Sequence, residues 1–262
     1  MTLRRNLTKH LLAAAAVSAL AALSSAPLLA GSPDTVFARL LSEGAPLPEA
    51  AAPAAPAPAA YRQEECLELA SIGCFYNGAP GAGAVPLLIY YRGWVLESNY
   101  PGSGLAGGHI TGAADILRSS RAALSFYKLK RLADEKRVAV LVTGSSDIAV
   151  TQADVDKLRA GLGVDFSSIS AAAHSGGYVG LKRSIGTFAR LERVILLDSF
   201  YDDFSAPVSD KIRQGAACTG FYTPHNAARY AKYFSGTGCR AEARTSPADH
   251  ENYVPASLLK SF

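Results

Sequence analysis

From residue 85 onward, continuous apolar runs alternate with segments in which apolar residues recur at helical spacing. The apolar runs predict strands, and the segments between them predict helices. The predicted strands are 85–94, 137–145, 167–175, 193–203, 216–223 and 239–245, and the predicted helices are 113–136, 151–163, 176–191, 206–215 and 224–236. Strands that alternate with helices predict an α/β fold, with a mostly parallel central sheet flanked by helices on both faces.

The amino-terminal sixty residues have a different pattern. Arg4, Arg5 and Lys9 precede an Ala/Leu-rich run that ends in small residues, which predicts an export signal over 1–30. A single membrane-spanning helix is the alternative, but the alanine content and Pro27 disfavour it. Residues 31–60 are rich in Ala and Pro and predict a linker, so the folded domain is expected over 61–262. No membrane span is expected once the signal is removed.

Cysteine count and charge narrow the compartment and the partners. Four cysteines in an exported chain predict two disulfides, with three possible pairings. Cys66–Cys74 together with Cys218–Cys239 closes the shortest loops and is favoured, whereas the spacing does not suit zinc. A formal net charge of +4 without a basic tract argues against a nucleic-acid partner.

One short segment carries candidate chemistry. Ser175 lies between a predicted strand and a predicted helix, with Ala173 two residues before it and Gly177 two residues after it. Small neighbours are what a nucleophile on a strained strand-to-helix turn requires. The segment "AHSGG" resembles the Gly-x-Ser-x-Gly motif of the α/β-hydrolase fold, with alanine in place of the first glycine. The resemblance covers the chain from about residue 85 to its end.

The resemblance implies a catalytic base and an acid later in the chain. His250 is the histidine that follows the last predicted strand, and His225 is the reserve candidate. Asp198, at the end of the strand that follows the serine, is the expected acid, with Asp202 and Asp203 as alternatives. His174 is expected to pack structurally. The order Ser175, Asp198, His250 is the one that the fold uses.

The resemblance also implies an oxyanion hole made of two backbone amides. Gly176 follows the serine and supplies one amide. The other comes from the turn "YYRGWV", where Trp94 is the expected donor and Gly93 allows the turn. Arg92 stands where the family has a histidine, a difference that is expected to alter the charge of the pocket.

These residues predict an exported serine hydrolase that acts by acyl transfer on a small-molecule or lipid-like acyl substrate, without a metal or an organic cofactor. A binding protein that keeps the fold without catalysis is the main alternative. A nucleotide- or phosphate-binding protein is a third, although the glycine-rich stretches match neither a P-loop nor a dinucleotide-binding turn. The bond that is cleaved, whether ester, thioester or amide, is not defined by the sequence.

Overall fold

An eight-stranded sheet lies at the centre of the computed structural model, which describes residues 67–69, 71–81, 83–95, 101–244 and 250–262. The strands are β1 (Leu67–Leu69), β2 (Gly73–Asn77), β3 (Ala84–Tyr91), β4 (Ala139–Thr143), β5 (Asp165–His174), β6 (Arg193–Leu197), β7 (Ala217–Tyr222) and β8 (Arg240–Ala243). The helices are α1 (Ala113–Phe126), α2 (Leu129–Lys136), α3 (Gln152–Leu162), α4 (Tyr178–Ile185), α5 (Ser205–Arg213), α6 (Ala227–Tyr233) and α7 (Val254–Ser261).

The strands lie in the order β1-β2-β4-β3-β5-β6-β7-β8. Within the described residues β2 is antiparallel to both of its neighbours, and all pairs from β4 to β8 are parallel. This is the strand order of the α/β-hydrolase fold, so the predicted fold class is confirmed. The carboxyl ends of the parallel strands meet at one edge of the sheet, which is where sites form in open α/β folds.

Alternating residues of the central strands pack into two separate cores. Leu87 and Ile89 of β3 belong to the core on one face, whereas Leu88 and Tyr90 belong to the core on the other. Because both faces of β3 are buried, its sequence is a continuous apolar run and not an alternation of apolar and polar residues.

The structure corrects several of the predicted elements. It adds β1, which the sequence analysis missed, and it ends the strand predicted over 193–203 at Leu197. The helix predicted over 113–136 is two helices, because the chain turns at Tyr127 and Lys128 takes a left-handed conformation with φ of 54°. The sequence analysis missed β2, which is only five residues long. It also missed α7, an eight-residue helix with a proline in its first turn.

A disulfide joins Cys218 of β7 to Cys239, which directly precedes β8. This confirms one of the two predicted pairings. Cys66 and the predicted signal and linker, residues 1–30 and 31–60, lie outside the described residues, and so these predictions stand as they were made. In the described part of the chain, no helix has the length and apolar character needed to cross a membrane.

Candidate active site

Ser175 directly follows β5 and begins a short 3₁₀ turn, Ser175–Gly177, that leads into α4. Its φ of 48° is left-handed, a conformation that a residue with a side chain rarely adopts. Such strain persists only where surrounding contacts impose it, and it is concentrated at functional sites. Ser199 helps to impose it, because its Oγ lies 2.9 Å from the carbonyl oxygen of Ala173 and 3.1 Å from that of Ser175.

The small residues around the serine have a steric cause. A Cβ at Gly177 would lie 2.1 Å from the carbonyl oxygen of Tyr91, so no larger residue fits. Ala173, two residues before the serine, is fully buried within β5. The close packing of the turn on the end of β3 therefore accounts for the pattern that the sequence analysis identified.

Replacing Gly177 with alanine is expected to lower the free energy of unfolding by about 3 kcal/mol or more, because the added methyl group overlaps backbone that cannot move freely. Gly186 is the matched control: its φ is −68°, and a Cβ there meets nothing within 4 Å. Gly186→Ala is expected to be neutral or stabilising by less than about 1 kcal/mol. Urea unfolding of the two variants measures the difference, and equal stability would contradict the steric argument.

The structure brings Asp198 and His250 together. The Nδ1 atom of His250 lies 2.8 Å from Oδ2 of Asp198, which follows the last residue of β6. Since the carboxylate accepts, Nδ1 carries the hydrogen and Nε2 is left as the basic nitrogen. Asp198 also has a left-handed φ, 51°. Ser175 follows β5 and Asp198 follows β6, so both strained residues lie at the carboxyl edge of the sheet.

The Asp198 carboxylate is fully buried and well supplied with donors. Its Oδ1 accepts a hydrogen bond of 2.7 Å from the backbone N–H of Thr223, and the side chain of Asn226 donates as well. Arg229 donates to the Asn226 oxygen at 3.1 Å, which turns the amide nitrogen towards the carboxylate. Burial raises the pKa of the Asp198 carboxyl, but these hydrogen bonds outweigh burial, so its net pKa is lowered and it stays ionised.

The pKa of His250 shifts in the opposite direction. Burial lowers it, but the hydrogen bond to Asp198 and the negative charges of Glu251 and Asp198 outweigh burial, and the net pKa is raised above the ordinary histidine value. The imidazole is about one-third exposed, at 32% of its side-chain surface. A base must be neutral to accept a proton, so His250 can act as a base only at a pH above its raised pKa.

The alternative residues lie in two short 3₁₀ turns. Asp203 is exposed and pairs with Lys182 of α4. Asp202 belongs to the same short turn, Asp202–Phe204. His225 is exposed in the turn Pro224–Asn226, where it precedes Asn226. Of the candidate carboxylates with described side chains, Asp198 is therefore the one that contacts a candidate base.

The two candidate oxyanion donors lie next to each other. A Cβ at Gly176 would lie 3.3 Å from Cβ of Trp94 and 3.4 Å from its backbone nitrogen. Gly93 is required for close approach: a Cβ there would lie 3.0 Å from Cβ of Ser175 and 2.9 Å from the carbonyl oxygen of His174. The backbone of Gly176 therefore lies close to that of Trp94, and Gly93 lies close to Ser175.

Arg92, which stands in place of the family's histidine, is buried and holds this turn together. Its guanidinium donates to the carbonyl oxygens of Gly144 at 2.7 Å, Gly93 at 2.9 Å and Gly107 at 2.5 Å. Burial lowers its pKa to about 10, so the side chain stays charged at neutral pH. Its charge is directed at backbone oxygens, and its effect on the site is to fix the Trp94 turn.

The sequence analysis missed a buried polar cluster behind His250. Glu251 accepts a short hydrogen bond from the hydroxyl of Tyr127, and its Oε2 lies 3.5 Å from Nδ1 of His174. His174 is fully buried, as expected for a structural histidine, but its ring also lies 4.8 Å from the ring of His250. A charged residue next to a histidine gives little signal in a sequence, because only the fold shows that it is buried.

This cluster offers donors that metals use, since single donor atoms of His174, His250 and Glu251 lie within 4.8 Å of one another. Each residue is already engaged: His250 with Asp198, His174 with a backbone carbonyl, and Glu251 with Tyr127.

No family model and no curated protein matches the chain. Two solved structures are similar to it. A poly(3-hydroxybutyrate) depolymerase from Bordetella parapertussis has 11% identity and a TM-score of 0.48, over 72% of this chain and 84% of its own. A siderophore hydrolase from Aspergillus nidulans has 11% identity and a TM-score of 0.38, over 76% of this chain and 92% of its own. The fold assignment rests on the strand order and not on these two structures.

Proposed function

We propose that the protein is an exported serine hydrolase that cleaves acyl bonds through Ser175, His250 and Asp198. The observation that carries the proposal is the hydrogen bond between Asp198 and His250 at the sheet edge where Ser175 is held in a strained turn. A hydroxyl alone is a poor nucleophile, and a neutral histidine oriented by a buried carboxylate is the usual means of activating it.

The residues divide the reaction between them. The Oγ atom of Ser175 attacks the carbonyl carbon of the substrate while its proton passes to Nε2 of His250. The amides of Gly176 and Trp94 stabilise the negative oxygen of the tetrahedral intermediate. The intermediate expels the leaving group, which takes the proton from His250. Water then repeats the sequence on the acyl enzyme and releases the acid, so the enzyme ends with all of its protons restored.

The rim of the site favours an acyl group with apolar surface. Among the described residues, Trp94 is the one large apolar side chain that is exposed, at 55%. Its ring packs edge-on against the ring of His109. Tyr178, the first residue of α4 after the serine turn, stacks on Tyr201 with ring centroids 4.1 Å apart. Exposed aromatic surface beside a nucleophile is suited to binding apolar substrate groups. The Cys218–Cys239 disulfide supports export, because disulfides persist in oxidising compartments.

A fluorophosphonate probe tests the proposal without knowledge of the substrate. The folded protein is expected to take up one phosphonyl group, and peptide mass spectrometry is expected to place it on Ser175. Heat-denatured protein is the control and is expected to stay unlabelled, because activation depends on the assembled site. A folded protein in which Ser175 stays unlabelled would contradict the proposal and favour a non-catalytic binding protein.

A further inference from the structure

The cluster behind His250 contains a carboxylate that the proposed mechanism does not use. Glu251 is only 2% exposed, and one of its carboxylate oxygens lies within 4.8 Å of a ring nitrogen of His250. Tyr127, at the end of α1, donates to this carboxylate from the far side. Burying a carboxylate costs folding free energy unless its neighbours stabilise it, and the contacts around Glu251 are therefore informative about its role.

His174 lies between this carboxylate and the backbone of the base. Its Nε2 lies 3.0 Å from the carbonyl oxygen of His250. A carbonyl oxygen only accepts, so Nε2 carries the hydrogen and donates it. Burial lowers the pKa of His174, which favours the neutral ring with a bare Nδ1. That nitrogen faces Glu251 at 3.5 Å and makes no hydrogen bond.

Two negatively charged side chains, Asp198 and Glu251, act on His250. The titratable or charged side chains around the pair are Tyr90, Arg92, Tyr127, Lys128, His174, Asp198, Arg244 and Tyr253. Burial raises the pKa of Tyr90, Tyr127 and Tyr253, so these phenols are neutral. Glu251 and Lys128 both line a cavity of about 410 Å³.

We propose that Glu251 is a positioning residue for His250: its carboxylate fixes the Tyr127–His174 contacts that hold the His250 backbone, and its charge favours the protonated imidazole during proton transfer. The inference rests on the proposed function in so far as His250 acts as the base. Asp198 orients the ring through Nδ1. Glu251 acts on the ring through space, and on the backbone through Tyr127, whose ring packs against the ring of His174.

Glu251→Gln separates the charge from the contacts. A glutamine amide is nearly isosteric, its oxygen still accepts from Tyr127, and its N–H group can donate to the bare Nδ1 of His174. With the negative charge gone, the imidazole of His250 is expected to titrate at a lower pH than in the wild type. The acid limb of the labelling rate is expected to move to lower pH as well, while the plateau at high pH falls several-fold because the base is weaker.

NMR titration of the His250 ring resonances measures this directly, with His250→Gln used to assign them. Glu242→Gln is the matched control, because Glu242 is exposed on β8 and pairs with Lys260. The control is expected to leave the titration unchanged. An unchanged His250 titration in folded Glu251→Gln would overturn the proposal.

A second variant covers the case in which Glu251→Gln does not fold. Tyr127→Phe combined with Glu251→Leu removes donor and acceptor together, which costs less folding energy than leaving one buried partner unsatisfied. The same downward movement of the His250 titration is expected there, and its absence would overturn the proposal. The readout does not depend on catalysis: if the wild type is not labelled at Ser175, the proposed function fails, and the titration still decides the role of Glu251.

Discussion

His250→Ala is expected to lower the rate of Ser175 phosphonylation, and of ester hydrolysis, by roughly 10⁶-fold. Without the imidazole, no group in the site takes the serine proton as attack begins, and the hydroxyl returns to its ordinary weak nucleophilicity. The oxyanion amides of Gly176 and Trp94 remain, so a small residual rate is expected. Stopped-flow or hand-mixed kinetics with an activated ester measure the loss.

His225→Ala is the control for this prediction. His225 is exposed and close to Asn226 in sequence, so it lies near the site without contacting Asp198 in the way that His250 does. Its removal is expected to change the rate less than about threefold, in line with an exposed substitution. A large loss in His225→Ala together with a small loss in His250→Ala would mean that His225, and not His250, is the base.

The same histidine sets the pH dependence. Only the neutral imidazole accepts a proton, so activity rises with pH through the pKa of His250 and is lost below it. Because that pKa is raised, the acid limb of kcat/KM is expected at a higher pH than an ordinary histidine would give. A limb below the ordinary value would contradict the contacts described around His250.

The central strands β3 and β4 could be predicted because burial on both faces produces a continuous apolar run. Short elements could not: β2 carries five residues, and the break between α1 and α2 depends on the burial of Tyr127. In both cases the tertiary contacts, and not the local sequence, decide the backbone. The serine turn could be predicted because its steric requirement does appear in the local sequence, as small residues two positions before and two positions after the serine.

The site shows the same division. Ser175, Asp198 and His250 could be proposed because each lies at a position that the fold makes characteristic. The contributions of Arg92 and Glu251 could not, because a charged residue in a sequence is normally exposed and only the packing shows otherwise. Arg92 was expected to alter the charge of the pocket, and the structure shows that its guanidinium is buried and donates to three backbone carbonyl oxygens.

Asp198→Asn is expected to lower the phosphonylation rate by roughly 10⁴-fold while the protein stays folded. An asparagine amide is neutral, so the imidazolium that forms during attack loses its compensating charge. If the amide turns its NH₂ group towards His250, it also favours the wrong tautomer, with the hydrogen on the nitrogen that must accept the proton. Labelling kinetics give the rate, and circular dichroism with thermal unfolding establishes that the variant is folded.

Asp203→Asn is the control that tests whether the loss of rate is specific to the Asp198 carboxylate. Asp203 is exposed, and its partner is Lys182, so its removal breaks a surface pair that contributes little to stability. A rate within about twofold of the wild type is expected. Asp198 instead accepts from Thr223 and Asn226 while it holds His250. A full rate in folded Asp198→Asn would contradict the assignment of Asp198 as the acid that orients His250.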